Sequence, residues 1–293
     1  MSTDQLLPPL LLLASAGTFG ASFFLGMVRI RAELAADRAA GNVSTTLADR
    51  PCRPGMSCFA TFVVAVILSV ALLIWRLATN PGLRFDNDLD VFLILGLALA
   101  GIVGYFRITR HLVALALFLI PMIAVMMAIG GTLSLIYPGR SYDFHTPLSL
   151  IHVLTIVGAS VSLAAASVGG IVYLLGDRQL RRRGPTAQRW IALPPLGAVE
   201  KFSYHAVLVG FPLLTAAIIT GVVRALESPG STTTWAVHYK ALFSLIAWLA
   251  YLPMLQVGLL PAFRGRKAAW LSVVAFALLL SVFVMSTWVS SGK

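Results

Sequence analysis

The sequence predicts an all-α fold, a polytopic membrane helix bundle of about eight transmembrane helices with both termini on the outer (periplasmic) side. Three observations predict it. The chain is 58% hydrophobic and 11% charged, whereas a soluble domain carries about 25% charged residues. Its apolar residues gather into unbroken runs of about 20, the length a helix needs to cross roughly 30 Å of hydrocarbon. Its basic residues fall on alternate loops, as cytoplasmic loops require. A transmembrane β-barrel would show short segments of alternating polarity instead.

The runs place spans near 7–28, 57–78, 90–106, 112–137, 148–176, 204–226, 241–261 and 268–290. The first follows "MSTDQ", which has no basic residue ahead of the apolar stretch. A cleaved leader needs a positive start and an apolar core of about 7 to 15 residues, so this longer run reads as a span. The third span is the shortest. Pro121, Pro212 and Pro253 are expected to kink spans four, six and seven. Span five opens on Thr146-Pro147, an N-cap followed by the first helical position. Its Gly158, Ser160, Ser162 and the run "SVGGIVYLLG" suit close helix packing. The chain divides into an N-terminal four-span half, 1–147, and a C-terminal four-span half, 148–293, within one integral membrane unit. The longest loops run to about 28 residues and leave no room for a large soluble domain.

Charge sets the orientation. With the N-terminus outside, inner loops hold 16 of the 22 basic residues, among them Arg29, Arg31, Arg107, Arg110 and the "DRQLRRRGPTAQR" stretch. The outer segments hold six: Arg76, Arg84, Arg140, Arg224, Lys240 and Lys293. The net charge of +11 is therefore mainly a topology signal, and nucleic acid is not an expected partner. The Arg-rich stretch reads as a cytoplasmic anchor against the lipid bilayer, with anionic lipid as a further partner. The bacterial-type cytoplasmic (inner) membrane is the expected location. Cys52 and Cys58 lack the spacing of a CxxC motif and have no second pair to complete a zinc site.

The span interiors contain essentially no Asp, Glu, Lys or Arg. That argues against a proton pump or ion-coupled transporter built on buried carboxylates. Five histidines remain. His145, His152 and His238 lie on the predicted outer side, and His111 and His205 on the inner. His152 sits about five residues into span five, some 7 Å below its start at 1.5 Å per residue. His238 lies in the loop "TTTWAVHYK" at the mouth of span seven. Two neutral imidazoles on separate helices at similar depth could clamp one metal, and imidazole is a ligand of haem iron. Trp235 and Tyr239 would supply aromatic walls and Lys240 a cation for the propionates. Against this stands the ordinary enrichment of Trp and Tyr at membrane interfaces. For His152 the plain alternative is a hydrogen bond to a neighbouring helix. His145, His111 and His205 read as loop or interfacial residues.

From span five onward the chain resembles the cytochrome c assembly family of membrane haem-handling proteins (CcsA/CcmC-type), and within it the shorter HemX-like and YpjD-like branch. The matching residues run in order: His152, "GGIVYLLGDRQLRRR", then "LGAVEKFSYHAVLVGFPLLTAAIITGVV", with "GFPLLT" and "IITG" the characteristic pieces. A Trp-containing loop, "LFSLIAWLAYL" and "FRGRKAAWLSVVAFALLL" follow. The similarity covers about residues 148 to 284. It implies an all-helical bundle holding haem b between two outer histidines, over a Trp-rich loop, for presentation to apocytochrome c or a chaperone. By position His152 is similar to the first of those ligands, Trp235 to a loop Trp, and Lys240 to the residue after the family's Asp-Pro. Where that Asp-Pro would stand, this chain has His238-Tyr239, and the loop holds one Trp. Gln256 replaces a further histidine of some members, and "VFVMSTWVSSGK" has no second outer histidine. His238 becomes the replacement ligand. The resemblance thus implies an assembly factor that orients and ligates haem, without catalysis by its own side chains, beside other maturation or membrane-complex subunits. The alternative is a scaffold, complex subunit or regulator of haem synthesis that keeps the fold without a working haem site.

Overall fold

The computed structural model describes residues 3–39, 56–79, 88–109, 113–136, 146–181, 194–227, 234–255 and 265–289. They form eight α-helices with no strand among them: α1 (Thr3–Ala39), α2 (Met56–Thr79), α3 (Asp88–Thr109), α4 (Val113–Ile136), α5 (Pro147–Arg181), α6 (Leu196–Glu227), α7 (Thr234–Leu255) and α8 (Arg266–Val289). Seven are long and apolar enough to cross a membrane, and α7 adds a shorter apolar segment, Lys240–Leu255. The predicted all-helical bundle is the observed fold.

Several helices outrun their apolar stretches. Beyond residue 28, α1 continues through Arg, Glu, Leu and Ala, all good helix formers, and Arg29 pairs with Glu33 one turn on at 2.9 Å. An i,i+4 pair of Asp177 with Arg181 likewise carries α5 past its apolar end. Hydropathy marks what lipid covers, and local propensity decides where a helix stops. The N-cap of α5 is as expected. Thr146 Oγ1 accepts from the Ser149 amide at 3.3 Å and lies 2.8 Å from the Ser149 hydroxyl.

The helices fall into two compact units, each described by itself. One contains α1 to α4 with residues Leu175–Val199. Here α1 packs on α2 and α4, and α3 packs on α4. Its core is built from Leu12, Phe19, Leu119, Ile123 and Met127, all fully buried. The Met127 thioether lies 3.5 Å from the Ser15 hydroxyl and 3.8 Å from that of Ser69, so two buried polar groups meet a soft acceptor. Cys58 has a packing role: Ser22 Oγ donates to the Cys58 carbonyl at 2.9 Å, and the Cys58 thiol donates to the Ser22 carbonyl at 3.2 Å. The exchange ties α1 to α2. The Arg107 guanidinium lies over the Phe62 ring, 5.0 Å from its centroid, and reaches the Cys58 sulfur at 3.7 Å. Cys52 lies outside the described residues. At another end of this unit Arg76 grips Asp90 through two bonds, 2.9 and 2.7 Å, linking α2 to α3.

The second unit holds α5 as far as Leu174, α6 from Glu200, and α7 and α8. Helices α5 and α6 meet along a seam with glycines on both sides. Cβ atoms built on them would meet the opposite helix. From Gly221 of α6 the first atom met is His152 Cε1 at 3.0 Å; from Gly158 of α5 it is Leu213 Cδ1 at 3.1 Å. Gly210 of α6 faces Leu163 and Ser162, and Gly169 of α5 faces Ser203. The contacts descend α5 as they ascend α6, so the two run antiparallel, and the glycines alternate between them. Gly170, beside this seam, packs on α8, where a Cβ would sit 2.7 Å from the Ala269 carbonyl oxygen. Tyr251 of α7, fully buried, donates to the Ser272 carbonyl of α8 at 3.3 Å. The turn before α8 needs Gly265, which has φ of 68°, a left-handed conformation costly for other residues. Gly170→Ala is expected to destabilise the protein by about 1–3 kcal/mol, because the methyl meets backbone that cannot rotate away. Thermal unfolding in detergent reads the loss.

Candidate functional site

The site is built where α5 meets α6. His152 lies in the second turn of α5, fixed in height by the Thr146-Pro147 start. Its ring is half-buried and leans on Gly221, whose missing side chain is what leaves room for the imidazole edge. The Nδ1 nitrogen is 3.0 Å from Thr220 Oγ1. That hydroxyl lies 2.8 Å from the Ala216 carbonyl and 3.1 Å from that of Ala217, so its own proton is engaged with its helix. Its oxygen is left to accept. The network therefore assigns the proton to Nδ1 and the lone pair to Nε2, the arrangement of a metal-ligating histidine oriented by an outer partner.

Other α6 residues lie further along the helix. Arg224 follows Thr220 by one helical turn and stands in the last turn of α6. Lower on the helix, Phe211 stacks on Trp248 of α7 with centroids 5.1 Å apart and planes at 29°. The Trp248 indole donates to Thr215 Oγ1 at 2.9 Å. These contacts orient α7 against α6.

Of the other sequence candidates, Trp235, His238 and Tyr239 have helical backbone in α7, with side chains outside the described part. The expected loop is thus helix from Thr234 onward, since the stretch has no Gly or Pro to stop it. Spacing of three and four then puts these three positions on one side of α7 by register. Lys240 follows and is half-buried. His111, His145 and Gln256 lie outside the described residues. His205 is exposed, and its ring donates from Nδ1 to the Lys201 carbonyl of its own helix at 2.7 Å. No cluster of three or more His, Cys, Asp or Glu side chains able to hold a metal ion occurs among the described residues.

Thr220, Gly221 and Arg224 were not singled out as site residues from sequence, although the first two were in plain view. They end "IITG", and Gly210, Phe211 and Thr215 are three of the six residues of "GFPLLT". The two α6 stretches are distinctive because each residue in contact has a partner: an imidazole, an indole, or the face of α5.

That pattern has relatives. The sequence profile described as "Cytochrome C assembly protein" matches residues 88–292, from the start of α3 almost to the last residue. The chain belongs to the cytochrome c assembly protein family. The family match takes in α3 and α4 as well as the region where the motifs lie. Among curated relatives, the "Cytochrome c biogenesis protein CcsA" of Parasynechococcus marenigrum (strain WH8102) is 31% identical over 140 residues, covering 47% of this chain and 44% of the relative. The CcsA of Cyanophora paradoxa is 28% identical over 156 residues, covering 51% and 46%. That of Synechococcus sp. (strain RCC307) is 40% identical over 75 residues, covering 26% and 24%. The chain thus spans less than half the length of these relatives over each match. No solved structure matches it. Family membership and the apolar helices together make this an integral membrane protein.

Proposed function

We propose that this chain is a haem-handling factor of cytochrome c assembly. It holds haem b at the outer face of a bacterial-type inner membrane, with both termini outside. His152 of α5 and His238 of α7 would hold its iron, His238 standing where the family's aspartate would be. Trp235 and Tyr239 line the haem, and apocytochrome c or a maturation partner receives it. The factor orients its cargo and does no chemistry with its own side chains. The observation that carries this reading is the bond from His152 Nδ1 to Thr220, which turns Nε2 into a ligand nitrogen. The ring is half-buried and seated in the space left by Gly221, which holds the imidazole in one orientation. Bound haem would supply an iron that such nitrogens ligate. Thr220 fixes the tautomer, Gly221 the tilt of the ring, and the α5–α6 seam its height.

The test is a visible spectrum of the purified protein in mild detergent, with and without added haem. A Soret band that fails in both His152→Ala and His238→Ala supports the ligand pair. No uptake by the wild type would leave the scaffold or regulator reading, which the single loop Trp and the missing second outer histidine favour. Thr220→Val keeps the shape but cannot accept from Nδ1. It is expected to weaken haem binding by about 10- to 100-fold, as loss of an outer-shell partner does elsewhere. Titration of the Soret band measures it.

A further inference from the structure

One helical turn beyond Thr220, the last turn of α6 carries a second cation, Arg224. Thr220 and Gly221 meet His152, and Arg224, three and four residues on, lies on the same side of α6 by register. Thr220 takes one ring nitrogen and Gly221 clears the ring's edge. Arg224, half-buried, lies one turn, about 5.4 Å, further toward the end of the helix. We propose that Arg224 is an anion-recognition residue of the same site, binding a carboxylate of the ligand whose metal His152 coordinates. This rests on the haem reading and adds to it the acidic edge of the ligand and the direction in which that edge points, toward the end of α6.

The chemistry suits the position. A guanidinium offers a planar fork of donors that matches a carboxylate in two bonds, and it stays charged at a membrane boundary where an ammonium is easily neutralised. The competing explanation is that Arg224 only complements the negative end of the α6 dipole, a role any cation in a last turn can fill. The two differ in what they discriminate. A helix-end role stabilises the protein irrespective of ligand. A carboxylate partner distinguishes ligands that carry the acid from those that do not. Lys240, already assigned to the propionates from sequence, is the other cation to be compared.

The experiment titrates full-length protein in detergent with ferric protoporphyrin IX and with its dimethyl ester, which keeps the iron and loses both carboxylates. Soret absorbance is the readout, and size-exclusion profiles confirm the fold. Wild type is expected to prefer the acid by about tenfold, the worth of one charge-assisted bond. Arg224→Gln is expected to bind acid and ester alike, at the level of the ester on wild type, and Arg224→Lys to restore part of the preference. Equal binding of acid and ester by wild type overturns the assignment while leaving the haem reading intact. So does an Arg224→Gln protein that weakens both yet keeps the preference, or a preference lost in Lys240→Gln and retained in Arg224→Gln. Absence of a Soret change with either porphyrin overturns the haem reading and this inference with it.

Discussion

His152→Ala is expected to remove haem binding, with the Soret titration showing affinity reduced by at least about 100-fold, beyond the range that loss of an outer-shell partner produces. The side chain is the described imidazole whose Nδ1 is held by another helix, so no neighbouring nitrogen can take its place without rebuilding the seam. The same variant should unfold at nearly the wild-type temperature. Thr220 keeps its bonds to the Ala216 and Ala217 carbonyls, and the half-buried ring gives up one hydrogen bond, about 1 kcal/mol, and its packing on Gly221. Ligation and folding are thereby separable. Added imidazole should restore part of the band, because the pocket beside Gly221 remains. His205→Ala is the control, since that ring donates within its own helix and should leave the spectrum unchanged.

The second large effect belongs to the unit that contains α1 to α4. Arg76→Ala is expected to destabilise the protein by about 3 kcal/mol, the lower end of what stranding one partner of a buried ion pair costs. The side chains of Arg76 and Asp90 are 16% and 10% exposed, so neither charge is well solvated where it stands. The reverse change, Asp90→Ala, should cost less. A long arginine can swing its head toward water while its stem stays packed, and a short aspartate on α3 cannot. Arg76→Leu with Asp90→Leu should recover most of the loss, as apolar replacement of both members often does. Thermal unfolding of the three variants gives the order. Losses below about 1 kcal/mol for both single alanine changes would show that the pair acts only as a surface contact.

Much of this was legible in the sequence. Runs such as 57–78 and 112–137 gave helices within a residue or so of their observed limits, because lipid-facing and core-facing residues are both apolar and the whole run stands out. Thr146-Pro147 gave the start of α5 for the same local reason that makes a cap. The end of α1 was missed by about ten residues, since Arg29 and Glu33 are polar yet helix-forming. His152 was visible because a titratable residue among apolar neighbours is conspicuous. Its partners were not. Thr220 and Gly221 are ordinary residues for a membrane helix, and only pairing with α5, 68 residues away in the chain, makes them part of a site. The Ser22–Cys58 exchange was invisible for the same reason.

The alternating glycines between α5 and α6 carry a consequence for how the site can move. A seam with all its glycines on one helix resembles a smooth rail, along which the other helix can shift. Here the notches are cut in both members, at Gly158 and Gly169 of α5 and at Gly210 and Gly221 of α6, so each helix is key and lock at once. Sliding by one residue would drive Leu213, Leu163, Ser203 and the His152 ring against backbone together. The pair therefore behaves as a keyed shaft rather than a piston. His152 keeps one height against α6.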